Sequence, residues 1–304
     1  MRISVIIPCY NHSDLLHRCV MSVLDNGAVE GVEVIVVDDG SEGGVGCMEQ
    51  SLAEAAKNRH IPLRFLGQPH KGASAARNYG LEQAEGDYIW FVDADDTIEK
   101  GALSVLLTRI VSECDMVRMG NMRRASDGKV VGKSSLFDHT TYLYRRQFLR
   151  EQQLCYPEDM RILEDSMFVL RCLQCRPRIL DITDCRFYLL GDHHSSTAGA
   201  WTAAHSARFV PDILRFFLSF RRLADAEGGE TLSLRDHYDR YFYVYLRVLA
   251  VKGCPWHLLE RFRNEVRAPQ FYYTQSPTFP MRLLRCKSVH QLLALFCRIF
   301  RRLC

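Results

Sequence analysis

The sequence predicts an α/β fold: a mostly parallel central sheet with helices on both faces. Three observations carry this reading. Short apolar runs alternate with helix-spaced stretches along residues 1–119, and strands joined by helical crossovers lie parallel. The runs are almost continuously apolar, as in strands covered on both faces. Polar residues of uncommon type follow the strands at their carboxyl ends, where sheets of this kind bind ligands.

Taken in order, Ile3–Ile7 reads as a buried strand closed by Pro8, with Tyr10-Asn11 beyond it. Leu15, Leu16, Cys19, Val20 and Val23 fall at helical spacing, so a helix is expected over 14–26, with Gly27 suited to its end. Glu33–Val37 is a second strand, followed by Asp38-Asp39-Gly40-Ser41. A helix over 47–58, a strand over Pro62–Leu66 and a helix from Lys71 to Gln83 come next. Tyr88–Val92 is the fourth strand, then a helix over 99–113 and a strand at Asp115–Met119.

Asp93, Asp95 and Asp96 close the fourth strand. In an extended chain Asp93 and Asp95 share a side and Asp96 turns away. Carboxylates so crowded repel unless a cation lies among them, and a hard divalent ion with oxygen ligands is the natural candidate. The plainer alternative makes Asp96 or Thr97 the cap of the next helix. Asp38 or Asp39 is placed to accept from a base N–H or a ribose hydroxyl. Lys71-Gly72-Ala-Ser-Ala-Ala-Arg77-Asn78 opens a helix with small residues, which bring amides and two cations toward a phosphate or packed sheet.

With 304 residues, 47% of them apolar, the chain holds one large domain or two modest ones with a real core. Net charge is +3, but residues 1–100 carry 8 Lys/Arg against 16 Asp/Glu and the remainder 31 against 20. A basic second region meeting something anionic is the expectation. The apolar run after Met1-Arg2 stops at Pro8, so no secretory signal is expected, and no stretch reaches transmembrane length. The 12 cysteines are then reduced, cytoplasmic thiols. Cys172 and Cys175, with Cys185 and His193 downstream, make half a zinc pattern without a second CxxC.

Four ordered motifs carry a resemblance: Pro8-Cys-Tyr-Asn11, Val36-Val-Asp-Asp-Gly-Ser41, Lys71–Asn78 with Gly80, and Phe91-Val-Asp-Ala-Asp-Asp96. Together they resemble the nucleotide-sugar domain of family 2 glycosyltransferases of GT-A fold, strongly over residues 1–115 and more weakly to 200. The resemblance implies an inverting transfer of a sugar, most naturally from a UDP-sugar, to a hydroxyl of a glycan or lipid-linked acceptor in cell-surface polysaccharide synthesis. It implies a donor site of Pro8, Tyr10, Asn11, Asp38, Asp39, Lys71, Arg77, Asp93 and Ala94. Asp39 or Asp38 would meet the base, Asp93 the ribose side, and Asp95 a Mg²⁺ or Mn²⁺ ion. Family members carry a Glu-Asp pair before an aromatic residue. That makes Asp165 the general base and Glu164 its helper, in Glu164-Asp-Ser-Met-Phe168. An aromatic strand followed by an Arg or His reaching the diphosphate puts His193, beside His194, with Asp95 on the metal side. Gly191, where an Arg is often found, departs from that pattern.

The implied organisation is a GT-A domain over 1–200 (donor half 1–115, acceptor half 116–200), a helical region over 201–280 and a basic tail over 281–304. That tail has six Lys/Arg, no acidic residue, and Val289, Leu292, Leu293, Phe296, Ile299, Phe300 and Leu303 along one helical stripe. It suits a helix in an anionic membrane surface, which would put a cytoplasmic protein peripherally on the inner face of the plasma membrane. It also suits docking on its own domain or a second subunit, which leaves a homo-oligomer open. A sugar nucleotidyltransferase would want a Gly-rich basic loop where Cys9-Tyr-Asn-His12 stands. An inactive nucleotide-sugar scaffold is the remaining alternative, and no nucleic-acid motif is present.

Overall fold

The computed structural model describes residues 2–11, 13–26, 30–110, 114–124, 130–133, 136–190 and 203–226, with isolated positions between 257 and 266. One compact unit comprises Met1–Asp159 with Glu164–His193; the other comprises Met160–Leu163 with His194–Cys304.

In the first unit, β1 (Ile3–Cys9), β2 (Val32–Asp38), β3 (Leu63–Gly67) and β4 (Tyr88–Phe91) form a parallel block in the order β3-β2-β1-β4. Every residue of β1 and β4 is buried, the reason their sequences are continuously apolar. The helices α1 (Ser13–Leu24), α2 (Gly46–Asn58) and α4 (Ala102–Arg109) cover one face, where Ile3, Val5 and Ile7 pack with Leu16, Val20, Leu52 and Leu103. Helix α3 (Ala73–Gln83) lies against the other. A Cβ on its Gly80 would meet Ile6 Cγ2 at 2.5 Å, so a glycine is what lets α3 approach the sheet.

Beyond β4 the sheet is mixed. β8 (Tyr142–Arg145) pairs antiparallel to both β4 and β6 (Met116–Arg124), and β7 (Val130–Lys133) pairs antiparallel to β6. β9 (Ile179–Leu190) runs parallel to β6, with the pairing slipping near Gly120; its later half pairs antiparallel with the two-residue β5 (Thr97–Ile98). The helices α5 (Arg146–Glu151) and α6 (Glu164–Gln174) complete this unit. In the second unit α7 (Ala203–Ala226) buries Phe209, Ile213, Phe216, Phe217 and Phe220 along one stripe, within the region expected to be helical.

Two local expectations are corrected. Pro8 does not close β1, because its missing N–H leaves the carbonyl side of the pairing intact and it stays in register with Val37. The stretch 99–113 is helical only from Ala102, since Gly101 takes a left-handed conformation and Thr97–Ile98 has joined the sheet. The helix therefore starts too far from Asp96 and Thr97 for either to cap it. Among the described residues no helix is long and apolar enough to cross a membrane.

Candidate active site

The carboxyl ends of β1, β2 and β4 lie side by side, so the loops after them share one rim. Asn11 holds a positive φ of 55°, tolerable for Asn, and ties the first loop to the second. Its N–H donates to Ser41 Oγ at 2.9 Å, and its Oδ1 accepts from Glu42 N at 2.8 Å. Tyr10 is exposed and stacks on His70, with ring centroids 4.1 Å apart. Asp38 Oδ1 accepts from the N–H and hydroxyl of Ser41 at 3.0 and 2.5 Å, which closes its turn.

Asp39 is 3% exposed and anchors the next loop. Its Oδ1 accepts from Gln68 Nε2 at 2.7 Å and Lys71 N at 2.8 Å; its Oδ2 accepts from Gly72 N at 2.8 Å and faces His70 Nδ1 at 2.8 Å. Gly40 has a φ of 77°, and a Cβ there would sit 2.8 Å from His70 N, so the loop after β3 can only close over a glycine. Lys71 contributes its backbone amide to this anchor, while its side chain is exposed at the rim.

The acidic stretch is a turn rather than an extension of β4. Asp96 N donates to Asp93 O at 3.0 Å, so the alternation expected for Asp93 and Asp95 does not hold. Tyr188 of β9 fixes the turn: its hydroxyl donates to Asp96 Oδ2 at 2.6 Å and accepts from Asp93 N at 3.1 Å. Asp96 is thereby buried as an internal anchor. Ala94 is buried, and Asp95 is half-buried with its carbonyl held by Arg18 at 2.9 Å.

Asp93 points into a buried ionic cluster. Arg77, buried in α3, donates to Asp93 Oδ1 at 2.8 Å and has Glu164 Oε1 3.7 Å from its Nη1. Its guanidinium lies 5.2 Å from the centroid of the Tyr156 ring. Asn78 holds Tyr156 in place by accepting from its N–H at 2.8 Å and donating to its carbonyl at 3.0 Å. His139, in a single 3₁₀ turn before β8, lies between Asp93 and Asp165. Its Nε2 is 3.5 Å from Asp93 Oδ1 and its Nδ1 3.7 Å from Asp165 Oδ2.

The electrostatics separate the neighbouring carboxyls. Burial pushes Asp93 up, but Arg77 and then His139 overcome it and hold the carboxyl far below its usual range. For Asp165, burial is likewise outweighed by His139, and the group is held low. Burial and the adjacent Asp165 push Glu164 up instead. Burial lowers His139, yet Asp93 prevails and lifts it to about 9. The Asp165 side chain is 38% exposed although the ring beside it is buried, so one carboxyl edge is open to an incoming group.

Among the described residues no three His, Cys, Asp or Glu side chains are grouped as metal ligands, the half zinc pattern included. That donor set does not suit an all-protein cage. The half-buried Asp95 is the rim carboxylate that would hold a hard cation such as Mg²⁺ there. Burial pushes the Cys9 thiol up to about 12 and also raises Cys19 and Cys172, which removes them as nucleophiles at neutral pH. His193, His194 and residues 281–304 lie outside the described residues. His139 was not singled out from sequence; the Asp138-His-Thr-Thr141 turn before an aromatic strand is the signal that marks it.

The profile described as "Glycosyl transferase family 2" matches residues 4–172. The chain belongs to this family. Among family 2 relatives, the uncharacterized glycosyltransferase EpsJ of Bacillus subtilis is 30% identical over 206 residues, 58% of this chain and 57% of that protein. The GalNAc(5)-diNAcBac-PP-undecaprenol β-1,3-glucosyltransferase of Campylobacter jejuni is 31% identical over 150 residues, 47% of each chain. The chain thus spans about half the length of these two relatives. Two solved structures share the GT-A fold: Staphylococcus aureus TarS 1–349 with UDP-GlcNAc, and the Pyrobaculum calidifontis mannosyltransferase PcManGT with GDP-Man and Mn²⁺. TarS has a TM-score of 0.61 at 19% identity with 88% of each chain covered; PcManGT has 0.55 at 15%, covering 99% of this chain and 87% of its own.

Proposed function

We propose that this protein is an inverting glycosyltransferase that moves a sugar from a nucleoside-diphosphate sugar, a UDP-sugar in the first instance, to a hydroxyl of a glycan or lipid-linked acceptor in cell-surface polysaccharide synthesis. The observation that carries the reading is an ionised, part-exposed Asp165 facing the donor-side Asp93 across one imidazole, at the rim of the sheet. TarS with its UDP-GlcNAc and the lipid-linked substrate in the C. jejuni relative's name support the donor and acceptor classes.

In this reading Tyr10 and Asn11, on the loop after Pro8, frame the base together with Asp38 and Asp39. The Asp39 carboxylate also sets the height of the Lys71-Gly72 loop, so that Lys71 stands at the phosphate side. Arg77 holds Asp93 in one orientation toward the ribose, and Ala94 leaves room beside it. Asp95, with His193, would hold Mg²⁺ or Mn²⁺, which when bound neutralises charge on the departing diphosphate. Asp165 accepts the proton of the acceptor hydroxyl as that oxygen attacks the anomeric carbon, on the face opposite the diphosphate. The new C–O bond forms as the bond to the phosphate oxygen breaks, so one displacement inverts the centre and no enzyme nucleophile takes part. Neighbouring carboxyls pushed apart are the mark of divided roles: Asp165 is ready to take a proton, and Glu164 more readily keeps one.

The test is nucleoside-diphosphate release from a panel of UDP-, GDP- and dTDP-sugars, with and without acceptor. Release dependent on both supports transfer. A protein that binds a donor but never releases diphosphate is the inactive scaffold instead. For residues 281–304 the proposal is a helix lying on an anionic bilayer at the cytoplasmic face. Flotation with anionic vesicles checks it, and full-length protein left at the bottom of the gradient would contradict it.

A further inference from the structure

His139 has no part in the reaction as written, yet it is the most constrained polar side chain of the site. Its turn is pinned from two strands: Trp90 Nε1 of β4 donates to Thr140 O at 2.9 Å, and Tyr144 Oη of β8 donates to His139 O at 3.2 Å. Asp138 closes the turn by accepting from the hydroxyl and N–H of Thr140 at 2.6 and 3.2 Å. The ring meets Phe91 and Tyr156 edge-on, at 6.5 and 5.8 Å between centroids, and only 3% of the side chain is exposed.

Neither ring nitrogen has a hydrogen-bond partner, and each faces a carboxylate oxygen. A neutral imidazole carries one N–H and one lone pair. Whichever tautomer it took, the lone pair would point at Asp93 or Asp165 and repel it. Only the imidazolium presents an N–H to both. The other charged groups around it do not change this balance. Arg77 of α3 is paired with Asp93, Glu164 of α6 and Asp138 of the turn are nearby carboxyls that burial pushes up, and the Tyr156 hydroxyl is buried and neutral.

We infer that His139 is a positioning residue that acts as an imidazolium strut, holding Asp165 at a fixed place relative to Asp93 and keeping it free of a proton before each transfer. The inference rests on the reading of Asp165 as the base. Without the strut Asp165 would sit near Asp138 and Asp93 at a part-exposed site with Arg77 as the remaining counter-charge, and would keep a proton more readily.

Two arms test it on the full chain. In the first, histidine-labelled protein is titrated by NMR. His139 is expected to be an imidazolium at pH 7 and to titrate near pH 9, and Asp165→Asn is expected to lower its midpoint by about one unit or more. A ring that is neutral at pH 7, or one indifferent to Asp165→Asn, overturns the inference. In the second, His139→Gln is assayed for transfer. The expected result is a donor KM within about threefold of wild type, a kcat lower by roughly 10- to 100-fold, and an acidic limb of the kcat profile displaced upward by about one pH unit. Adding His139→Gln to Asp165→Asn should then cost nothing further, because one residue acts through the other. Equal losses in both backgrounds, or an unmoved acidic limb, contradict it. If wild-type protein transfers no sugar the proposed activity falls, while the NMR arm still decides the charge of His139 and its coupling to Asp165. The same arm decides the matter if His139→Gln does not fold.

Discussion

Asp39 and Asp93 are both rim carboxylates, but their partners divide their roles. Asp39 is occupied by backbone amides of its own fold, so its loss should be felt first in stability. Asp39→Ala strands the amides of Lys71 and Gly72, at roughly 1–3 kcal/mol for a buried unsatisfied group, which urea unfolding will register. Asp93 is held by charges, so pH is its probe. The His139 value of about 9 lies above the ordinary 6.5, so its contribution is whole below about pH 6.5 and is lost as pH rises through 9, on the order of 3 kcal/mol. Asp93 is depressed, so its contribution is present above the ordinary 3.8 and is lost as pH falls below it. Unfolding free energy should therefore fall between pH 6.5 and 9.5 in wild type, and that slope should flatten in His139→Gln. At this scale the sequence marked most of the carboxylates and Arg77, but not which groups pair with them. Asp39 is answered by amides, which have no letter of their own. His139 gains its meaning only from Asp93 and Asp165, far from it in sequence and brought together by folding.

At the scale of elements, nearly continuous apolar runs betrayed β1, β2 and β4, which are buried almost throughout, while the edge strand β3 is half-buried and carries Arg64. The strands beyond them were harder to read. Arg118 of β6 is half-buried and Asp181 and Asp184 of β9 are exposed, so these segments carry charges that break up an apolar run. Yet β9 brings Tyr188 to the acidic turn. Tyr188→Phe removes the hydroxyl that donates to the buried Asp96 and accepts from Asp93 N, a loss of about 1–3 kcal/mol, and should raise the donor KM by loosening the turn that carries Asp93 and Asp95. Helix α3 depends on Gly80 in the same way. Gly80→Ala forces a methyl against Ile6, costs about 1–3 kcal/mol and should displace Arg77 along with the helix, seen as a lower melting temperature and weaker donor binding.

For the whole molecule, charge is divided between an acidic first third and a basic remainder. In the proposed reaction the donor would be held by three loops of the parallel block, and the base would come from the later half of the same unit. A divalent cation held by Asp95 would make transfer chelator-sensitive: EDTA should abolish it and added Mn²⁺ or Mg²⁺ restore it, with unfolding free energy unchanged when no donor is present. The central claim is that Asp165 takes the acceptor's proton in a sugar transfer. It is tested most directly by comparing wild type and Asp165→Asn in acceptor-dependent release of nucleoside diphosphate from the donor that the panel selects, with donor affinity measured alongside. Loss of about 10²- to 10⁴-fold in kcat at nearly unchanged donor affinity is the predicted result; transfer by Asp165→Asn at close to the wild-type rate would contradict it.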